Sequence, residues 1–439
     1  MTSPFNRLQR LVLAGLLAAV AAAGCAAAPK ADRPGVLDGG VRRVVFLGDS
    51  ITYGGQYIDY LEAYLATRRP DLRVELLNLG LPSETVSGLS EPGHADGKFP
   101  RPCLHERLDR VLAKTRPDLV VACYGMNDGI YYPLGEERFA AYREGIATLV
   151  RKVRAAGADI LILTPPTFDP LPIKARTLPA GRDAYEQPFE GYDAVLARYA
   201  AWLLEQRATG LAVADVHGPM ARLIEARRRT DPAFFLAGDG VHANSTGHWI
   251  FTEQLLAAWH APAEVDAAEI DAAAPAARQG KITNLAADAG GVRFDWLSRR
   301  PMPAAPKWDA ASIALLQTAK KFNRHTLTVT GLPAATYRLS EGDTPLGTVT
   351  REELATGVDL GRFADLSANR GGPDLLKLIR QRQRLLTDAW LTDTGHLRPM
   401  NKGLPLDEAT AKAAEIEVKI REAAAPVVLH LQLAPEGAK

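Results

Sequence analysis

A serine, a histidine and an aspartate in this chain have the types and the spacing needed for acyl transfer. Ser50 lies in the tetrad Gly-Asp-Ser-Ile (48–51). A serine hydroxyl is a weak nucleophile, so it needs a neighbouring base to take its proton. Taken alone, Ser50 is equally well explained as a turn residue or a helix N-cap.

A candidate base lies far downstream, in the segment Asp239-Gly-Val-His242. Histidine titrates near neutrality, so it can accept a proton and later return it. An aspartate three residues earlier can fold back onto the imidazole, fix its tautomer and stabilise the cation that forms. The alternative is that both residues are solvated surface groups near the start of a helix.

Two further segments offer hydrogen-bond donors for an oxygen anion. Asn127 lies in Gly-Met-Asn-Asp (125–128), and Gly80 ends Asn-Leu-Gly (78–80). An asparagine amide and a backbone N–H can both stabilise the anion, and glycine lets the backbone approach a substrate closely. The alternatives are an Asx-turn for Asn127 and a plain tight turn for Gly80.

Three of these four segments follow runs that read as strands. Ser50 follows Val44–Leu47, Asn127 follows Leu119–Cys123, and Gly80 follows the run 73–77. Apolar runs of this length are typical of buried strands in a parallel sheet. Open α/β sheets bind their ligands at the carboxyl ends of the strands, so we expect these side chains to meet there.

Taken in the order in which they occur along the chain, the four segments resemble the SGNH (GDSL-type) esterase and acylhydrolase family. The resemblance covers roughly residues 41–262. The family is named for its Ser, Gly, Asn and His, which match Ser50, Gly80, Asn127 and His242. One departure is Ser83, which stands where the family often carries another glycine. No G-x-S-x-G motif surrounds Ser50, which disfavours the α/β-hydrolase fold.

The resemblance implies ester hydrolysis through an acyl-enzyme. Ser50, Asp239 and His242 would form the catalytic triad, and the N–H groups of Ser50 and Gly80 with the side chain of Asn127 would form the oxyanion hole. We expect Asp49 to hold the turn at the end of the strand rather than to react. No metal or organic cofactor is expected.

Composition limits the class of protein. The chain has 439 residues, which suggests two domains. Its 47% apolar and 23% charged residues are ordinary for a soluble globular protein. The net charge of +1 predicts no nucleic-acid partner. Cys103 and Cys123 are expected to remain unpaired.

The N-terminus resembles a bacterial lipoprotein signal. Arg7 and Arg10 precede the apolar run 11–23, which is short for a membrane span. We therefore predict a signal peptide over 1–24, with Cys25 as the lipidated first residue, and a tether over 25–40. The alternative is ordinary cleavage near 26–28. In both cases we expect an exported protein, whose only membrane contact would be the lipid anchor.

Alternating elements predict the fold. Strands are expected near 43–47, 73–78, 118–123, 159–164 and 211–214, with helical patterns between and after them. This alternation predicts a parallel sheet with helices on both faces, a three-layer flavodoxin-like sandwich over 41–262. Two long loops, 81–103 and 165–189, leave the carboxyl ends of strands and are expected to wall a substrate groove.

A second domain is predicted over 281–439, after a linker at 263–280. Alternating runs such as 325–330 and 427–433 read as antiparallel strands. We interpret the domain as a small β-sandwich with a helical insertion at roughly 373–424. A basic cluster, Lys377 to Arg384, is expected to be a solvated helix face. The domain could bind carbohydrate or only pack against the first.

The substrate follows less directly from the sequence than the chemistry does. Large polar loops and export favour O-acyl groups, above all O-acetyl groups, on carbohydrate. A lysophospholipase or short-chain carboxylesterase is the alternative. A carbohydrate-binding surface lipoprotein with a vestigial hydrolase domain is the non-enzyme alternative, which the intact set of site residues disfavours. The oligomeric state does not follow from the sequence.

Overall fold

A computed structural model describes residues 35–288, 290–395 and 403–436. The predicted signal peptide, Cys25 and most of the tether lie outside these ranges. Within them, no helix has both the length and the apolar character needed to cross a bilayer. Cys103 and Cys123 are free thiols.

Five parallel strands form the first sheet, in the order β2-β1-β3-β4-β5. They are β1 Arg43–Gly48, β2 Glu75–Asn78, β3 Leu119–Cys123, β4 Asp159–Leu163 and β5 Ala212–Ala214. The side chains of β1 and β3 are almost all buried, because helices cover both faces of the sheet. The order is that of the flavodoxin-like fold, which confirms the predicted architecture.

Among the described residues, seven α-helices between residues 50 and 258 accompany this sheet. They are α1 Ser50–Gly54, α2 Gln56–Arg68, α3 Leu104–Thr115, α4 Glu136–Ala155, α5 Tyr192–Glu205, α6 His217–Arg228 and α7 Ser245–Ala258. The chain runs from β1 to β2 in one direction and from β2 to β3 in the other, so right-handed crossovers place α2 and α3 on opposite faces. The direction in which successive strands are added to the sheet therefore changes between β1 and β3. Ser50 follows the first of these strands and Asn127 the second.

The C-terminal half contains two further sheets. Their strands are β6 Glu264–Asp271, β7 Ala276–Gln279, β8 Ile282–Asp288, β9 Gly291–Ser298, β10 Arg324–Thr330, β11 Thr336–Glu341, β12 Thr344–Thr350, β13 Val358–Asp359 and β14 Val427–Pro435. The sheets β13-β10-β6-β7 and β12-β11-β14-β9-β8 share one core, which includes Leu327, Val329, Trp296 and Leu339. This is the predicted β-rich region. It also holds the short helices α8 Ala310–Leu316, α9 Thr318–Phe322 and α10 Arg351–Thr356.

The stretch 263–280, expected to be a linker, carries strands β6 and β7 instead. β6 pairs in parallel with β10 along its whole length and buries Val265 and Ile270. The stretch 263–280 is rich in alanine, which has little intrinsic β-propensity, so its sequence does not predict a strand. The pairing with β10, distant in sequence, determines the conformation.

The helical insertion lies where the sequence predicts it along the chain, but it packs against the first domain. It consists of α11 Gly372–Thr394 and α12 Leu406–Ala424. Its apolar side chains Leu375, Ile379 and Ile416 join the core of the first domain, not that of the β-sandwich. α11 covers the edge strand β2, where the Gln383 side chain donates to the Leu76 carbonyl at 3.2 Å. Covering an edge in this way removes a site for unwanted strand pairing.

The expectation that the basic cluster of α11 is a solvated face is wrong. Arg380 forms an ion pair with Asp59 at 2.9 Å, and Arg382 forms one with Glu62 at 3.0 Å. Both carboxylates belong to α2 and are buried. A sequence cannot reveal this, because the partners are more than 300 positions away.

Candidate active site

Ser50 is the first residue of α1 and is separated from the end of β1 only by Asp49. Asp49, and not Ser50, is the helix N-cap, since its carboxylate accepts the N–H of Ile51 at 2.9 Å. A side chain at Gly48 would lie 2.2 Å from Thr52 Oγ1, so the turn needs glycine there. The Ser50 hydroxyl is therefore not used for capping.

The serine, histidine and aspartate predicted from the sequence form one hydrogen-bonded chain. Ser50 Oγ lies 2.7 Å from His242 Nε2, and His242 Nδ1 lies 2.6 Å from Asp239 Oδ2. The carboxylate partner requires the proton on Nδ1, which leaves Nε2 free to accept the serine proton. The arrangement can therefore activate the hydroxyl.

Asp239 is held in its ionised form. Partial burial works against the charge, but hydrogen bonds from the His242 ring and from the N–H groups of Val241 and His242 prevail and lower the pKa of Asp239. The side chains of His242 and Asp239 are 50% and 52% exposed, so the site opens to solvent. Large substrates can therefore reach the histidine.

Asn127 follows β3 and is buried close to the hydrogen-bonded residues Ser50, His242 and Asp239. Its side-chain NH2 donates to the Glu84 carbonyl at 3.2 Å and approaches Asp49 Oδ2 at 3.4 Å. It does not close an Asx-turn on its own backbone. The amide is thus a buried donor beside the Ser50 turn.

Tyr131 is a site residue that sequence reasoning missed. Its hydroxyl donates to Asn127 Oδ1 at 3.2 Å, which fixes the direction of the amide. Its ring stacks on Tyr192, with centroids 4.9 Å apart, and the Arg101 guanidinium lies 5.4 Å from its centroid. Tyr131 has φ 59°, an unfavourable value for a bulky residue, and local strain of this kind is common at functional sites.

Gly80 is brought to the same place by packing. A side chain there would lie 2.3 Å from the backbone N of Tyr53 in α1, so glycine is required by the approach of the helix. The Gly80 N–H donates to Asn78 Oδ1 at 3.0 Å and would share that hydrogen with an oxyanion. Ser83 has φ 66°, the conformation that glycine favours, which fits its place in the family pattern.

Two buried aspartates give the site an unusual electrostatic environment. Burial raises the pKa of Asp49 to about 7, although the Ile51 N–H lowers it, and neighbouring Asp128 raises it further. Burial likewise raises the pKa of Asp128 to about 6, against the N–H groups of Val86 and Ser87. Asp49 caps α1, and Asp128 accepts the N–H groups of the loop residues Val86 and Ser87.

Both long loops flank the site. Loop 81–103 supplies Glu91, whose carboxylate accepts two hydrogen bonds of 2.6 Å from Arg101. Loop 165–189 supports the histidine segment, since the Asp169 N–H donates to the Gly240 carbonyl at 2.9 Å. In the described ranges, no group of three or more His, Cys, Asp or Glu side chains could hold a metal ion.

Residues 46–250 match the model of the GDSL-like lipase/acylhydrolase family. No curated protein matches the chain.

Solved structures are similar to all or part of this chain. A gut microbial diltiazem-metabolizing enzyme is 21% identical, with a TM-score of 0.73, and the match covers 90% of this chain and 97% of that one. The acetylxylan esterase Axe2 from Geobacillus stearothermophilus is 19% identical, with a TM-score of 0.36, over 50% of this chain and 94% of that one. An α/β hydrolase from the metagenome of Lake Arreo, Spain, is 23% identical, with a TM-score of 0.36, over 50% and 95%. The first match extends beyond the parallel sheet, so the two-part architecture is shared as a whole.

Proposed function

We propose that this protein removes short O-acyl groups, above all O-acetyl groups, from carbohydrate. Residues 46–250 form a domain of the GDSL-like lipase/acylhydrolase family, so the protein is an ester-hydrolysing enzyme. The observation that carries the proposal is the pair of hydrogen-bond contacts that link Ser50 to His242 at 2.7 Å and His242 to Asp239 at 2.6 Å. A relay of this kind suits acyl transfer through a covalent intermediate.

The reaction has two halves. His242 takes the Ser50 proton while the serine oxygen bonds to the ester carbonyl carbon, and the histidine then gives the proton to the departing alcohol. In the second half, His242 takes a proton from water, the resulting hydroxide attacks the acyl-serine, and the proton returns to Ser50 as the acid leaves. Asp239 orients the imidazole and stabilises its charged form in both halves.

The oxyanion that forms in each half needs preorganised donors. We assign them to the N–H groups of Ser50 and Gly80 and to the NH2 of Asn127. A developing anion is a stronger acceptor than a neutral carbonyl, so these donors stabilise the transition state more than the bound substrate.

The surroundings of the relay support a polar substrate. The half-exposed His242 marks an open site. Charged side chains lie near it: the Arg101 guanidinium packs against the Tyr131 ring, and Arg384 and Asp388 contact Tyr53 of α1. Charged surroundings favour hydroxyl-rich alcohols and offer little apolar area for a long acyl chain.

A series of p-nitrophenyl esters from acetate to decanoate tests this preference. Burying each extra methylene would be worth about 0.8 kcal/mol in a lipid-accepting site, so kcat/KM would climb steadily with chain length. We expect acetate to be turned over at least as well as butyrate, and octanoate poorly. A rise throughout the series would overturn the carbohydrate-deacetylase proposal and favour a lipid esterase such as a lysophospholipase.

Ser50→Ala is the control for the whole series. It should remove turnover to about one part in a thousand or less, the scale expected for loss of a triad member, while the melting temperature stays close to wild type. Retained turnover would reject Ser50 as the nucleophile and, with it, the acyl-enzyme mechanism.

We also infer export with lipid attachment at Cys25, from the apolar run that ends in Ala-Gly-Cys (23–25). Only a thiol can form the thioether to the diacylglycerol, so labelled palmitate should enter the wild-type protein but not Cys25→Ser. An unlabelled wild-type protein would leave ordinary cleavage near residues 26–28 as the explanation.

A further inference from the structure

We propose that Arg380 and Arg384 of α11 are positioning residues for the nucleophile. The two side chains hold the C-terminal end of α1, and α1 begins with Ser50. The proposal goes beyond the esterase function but rests on it, since it takes Ser50 as the reacting residue. It gives the helical insertion of the C-terminal region a part in the chemistry of the first domain.

α1 cannot hold its own position. It has only five residues, and an isolated helix of that length is unstable in water. The last carbonyl groups of any helix also lack partners within the helix. The place of Ser50 therefore depends on what the surroundings give to these carbonyls.

Side chains from two other elements satisfy the last three carbonyls of α1. The Thr52 carbonyl accepts from the Asn78 side chain at 2.8 Å. The Tyr53 carbonyl accepts from Arg384 Nη1 and from the Asn78 side chain, each at 3.4 Å. The Gly54 carbonyl accepts from Arg380 Nη1 at 2.5 Å. Two of the three carbonyls thus receive a hydrogen bond from α11.

Both arginines are themselves held in place. Arg380 forms an ion pair of 2.9 Å with Asp59, which is buried on α2. The Arg384 guanidinium lies 4.7 Å from the centroid of the Tyr53 ring, and the Tyr53 hydroxyl donates to Asp388 at 3.3 Å. The contacts join α11 to α1 through side chains with fixed directions, so they can transmit the position of one helix to the other.

Loss of these contacts would free the end of the helix opposite Ser50. The serine oxygen is placed for transfer by its 2.7 Å contact with His242, which leaves little tolerance. A misplacement of about 1 Å can cost on the order of 100-fold in rate. Weaker attachment of α1 should therefore lower kcat and leave KM nearly unchanged.

Arg382 provides a matched control on the same helix. Its ion pairs go to Glu62 at 3.0 Å and Glu417 at 3.2 Å, on α2 and α12. Arg380→Met and Arg382→Met each remove an arginine from a buried carboxylate, so they should cost similar stability. Only the first removes a hydrogen bond to α1.

The experiment compares Arg380→Met, Arg384→Met and Arg382→Met in the full chain. For each, it measures kcat and KM on p-nitrophenyl acetate, the rate of covalent labelling of Ser50 by a fluorophosphonate, and the melting temperature. We expect kcat and labelling to fall by about tenfold to 100-fold in Arg380→Met, and less in Arg384→Met. Arg382→Met should lower the melting temperature but label at nearly the wild-type rate. Arg380→Lys should recover part of the labelling rate.

Equal labelling rates in all three variants would overturn the positioning role. If Arg380→Met does not fold, Arg384→Met decides the matter, since it leaves Asp59 paired. Failure of the esterase mechanism gives a different result: the wild-type protein would not label, and Ser50→Ala would stay active. That result would reject the positioning role as well.

Discussion

At the scale of single residues, the site depends on groups that do not react. Asn127 can help an oxyanion only if its NH2, and not its carbonyl oxygen, faces the substrate. Tyr131 sets that direction by donating to Asn127 Oδ1 at 3.2 Å. The ring of Tyr131 is held in turn by its contacts with Arg101 and Tyr192.

Tyr131→Phe should therefore lower kcat by about tenfold or less, because one hydrogen bond is worth roughly 1 kcal/mol and the ring contacts remain. Asn127→Ala should lower kcat by on the order of 100-fold to 1,000-fold. In the Asn127→Ala background, Tyr131→Phe should have no further effect, since its partner is gone. Steady-state kinetics of the two single variants and the double variant measure this coupling.

Tyr142→Phe is the matched control. It also removes a tyrosine hydroxyl, one that donates to the Tyr124 carbonyl at 3.2 Å within the core. It should lower stability without a comparable loss of kcat. Additive effects of Tyr131→Phe and Asn127→Ala would contradict the orienting role.

At the scale of elements, the site is an assembly around α1. Gly80 lies against the middle of this helix, and a side chain there would meet the Tyr53 nitrogen at 2.3 Å. The turn after β2 and the helix after β1 can therefore approach closely only if residue 80 is glycine. The proposed nucleophile Ser50 and two proposed oxyanion donors, the N–H groups of Ser50 and Gly80, belong to the segments that meet at this contact.

Gly80→Ala should push α1 away from β2. We expect a stability loss of about 1–3 kcal/mol, as for overpacked cores, and an activity loss on the order of 100-fold from displacement of Ser50. Chemical denaturation and kcat measure the two effects separately.

Gly157→Ala serves as the comparison, because Gly157 has φ 85° but open space around it. It should cost about 1–2 kcal/mol of backbone strain and leave kcat close to wild type. Equal activity of the two variants would mean that the contact of Gly80 with α1 has no effect on the nucleophile.

At the scale of the whole molecule, the two parts of the chain are interlocked. α11 and α12 lie between β13 and β14 in sequence, yet their apolar side chains pack in the core of the first domain. The β-sandwich thus holds both ends of a segment that the parallel-sheet domain needs. We expect the two parts to unfold together.

Leu339→Ala tests this interlocking from the far side, since Leu339 is fully buried in the sandwich core. Such a change should cost about 2–5 kcal/mol, and the temperatures of unfolding and of activity loss should fall together. Leu297→Ala, at a side chain that is 39% exposed on β9, should shift both temperatures little. Activity that survives the unfolding of the sandwich would show that the parts are independent.

The sequence by itself determined the parallel-sheet fold and its chemistry. Apolar runs such as Val44–Leu47 identify strands because both faces of a parallel sheet are buried, and their carboxyl ends meet at one edge. That geometry brings Ser50 and Asn127 together, and the short segment from Asp239 to His242 can close on itself locally. The family and the ester-hydrolysing activity follow from these local patterns.

Only the tertiary structure decided which side chains distant in sequence support the site residues. The sequence predicts a solvated Arg380, because its partner Asp59 lies far away in the chain and comes beside it only on folding. No sequence pattern indicates that Tyr131 orients Asn127, because this role depends on the direction of its hydroxyl group in the folded protein. The strand β6 was hidden for the same reason, since it forms by pairing with β10 rather than by its own propensity. Periodicity reports what a segment buries, whereas the identity of its partner is fixed only when the chain has folded.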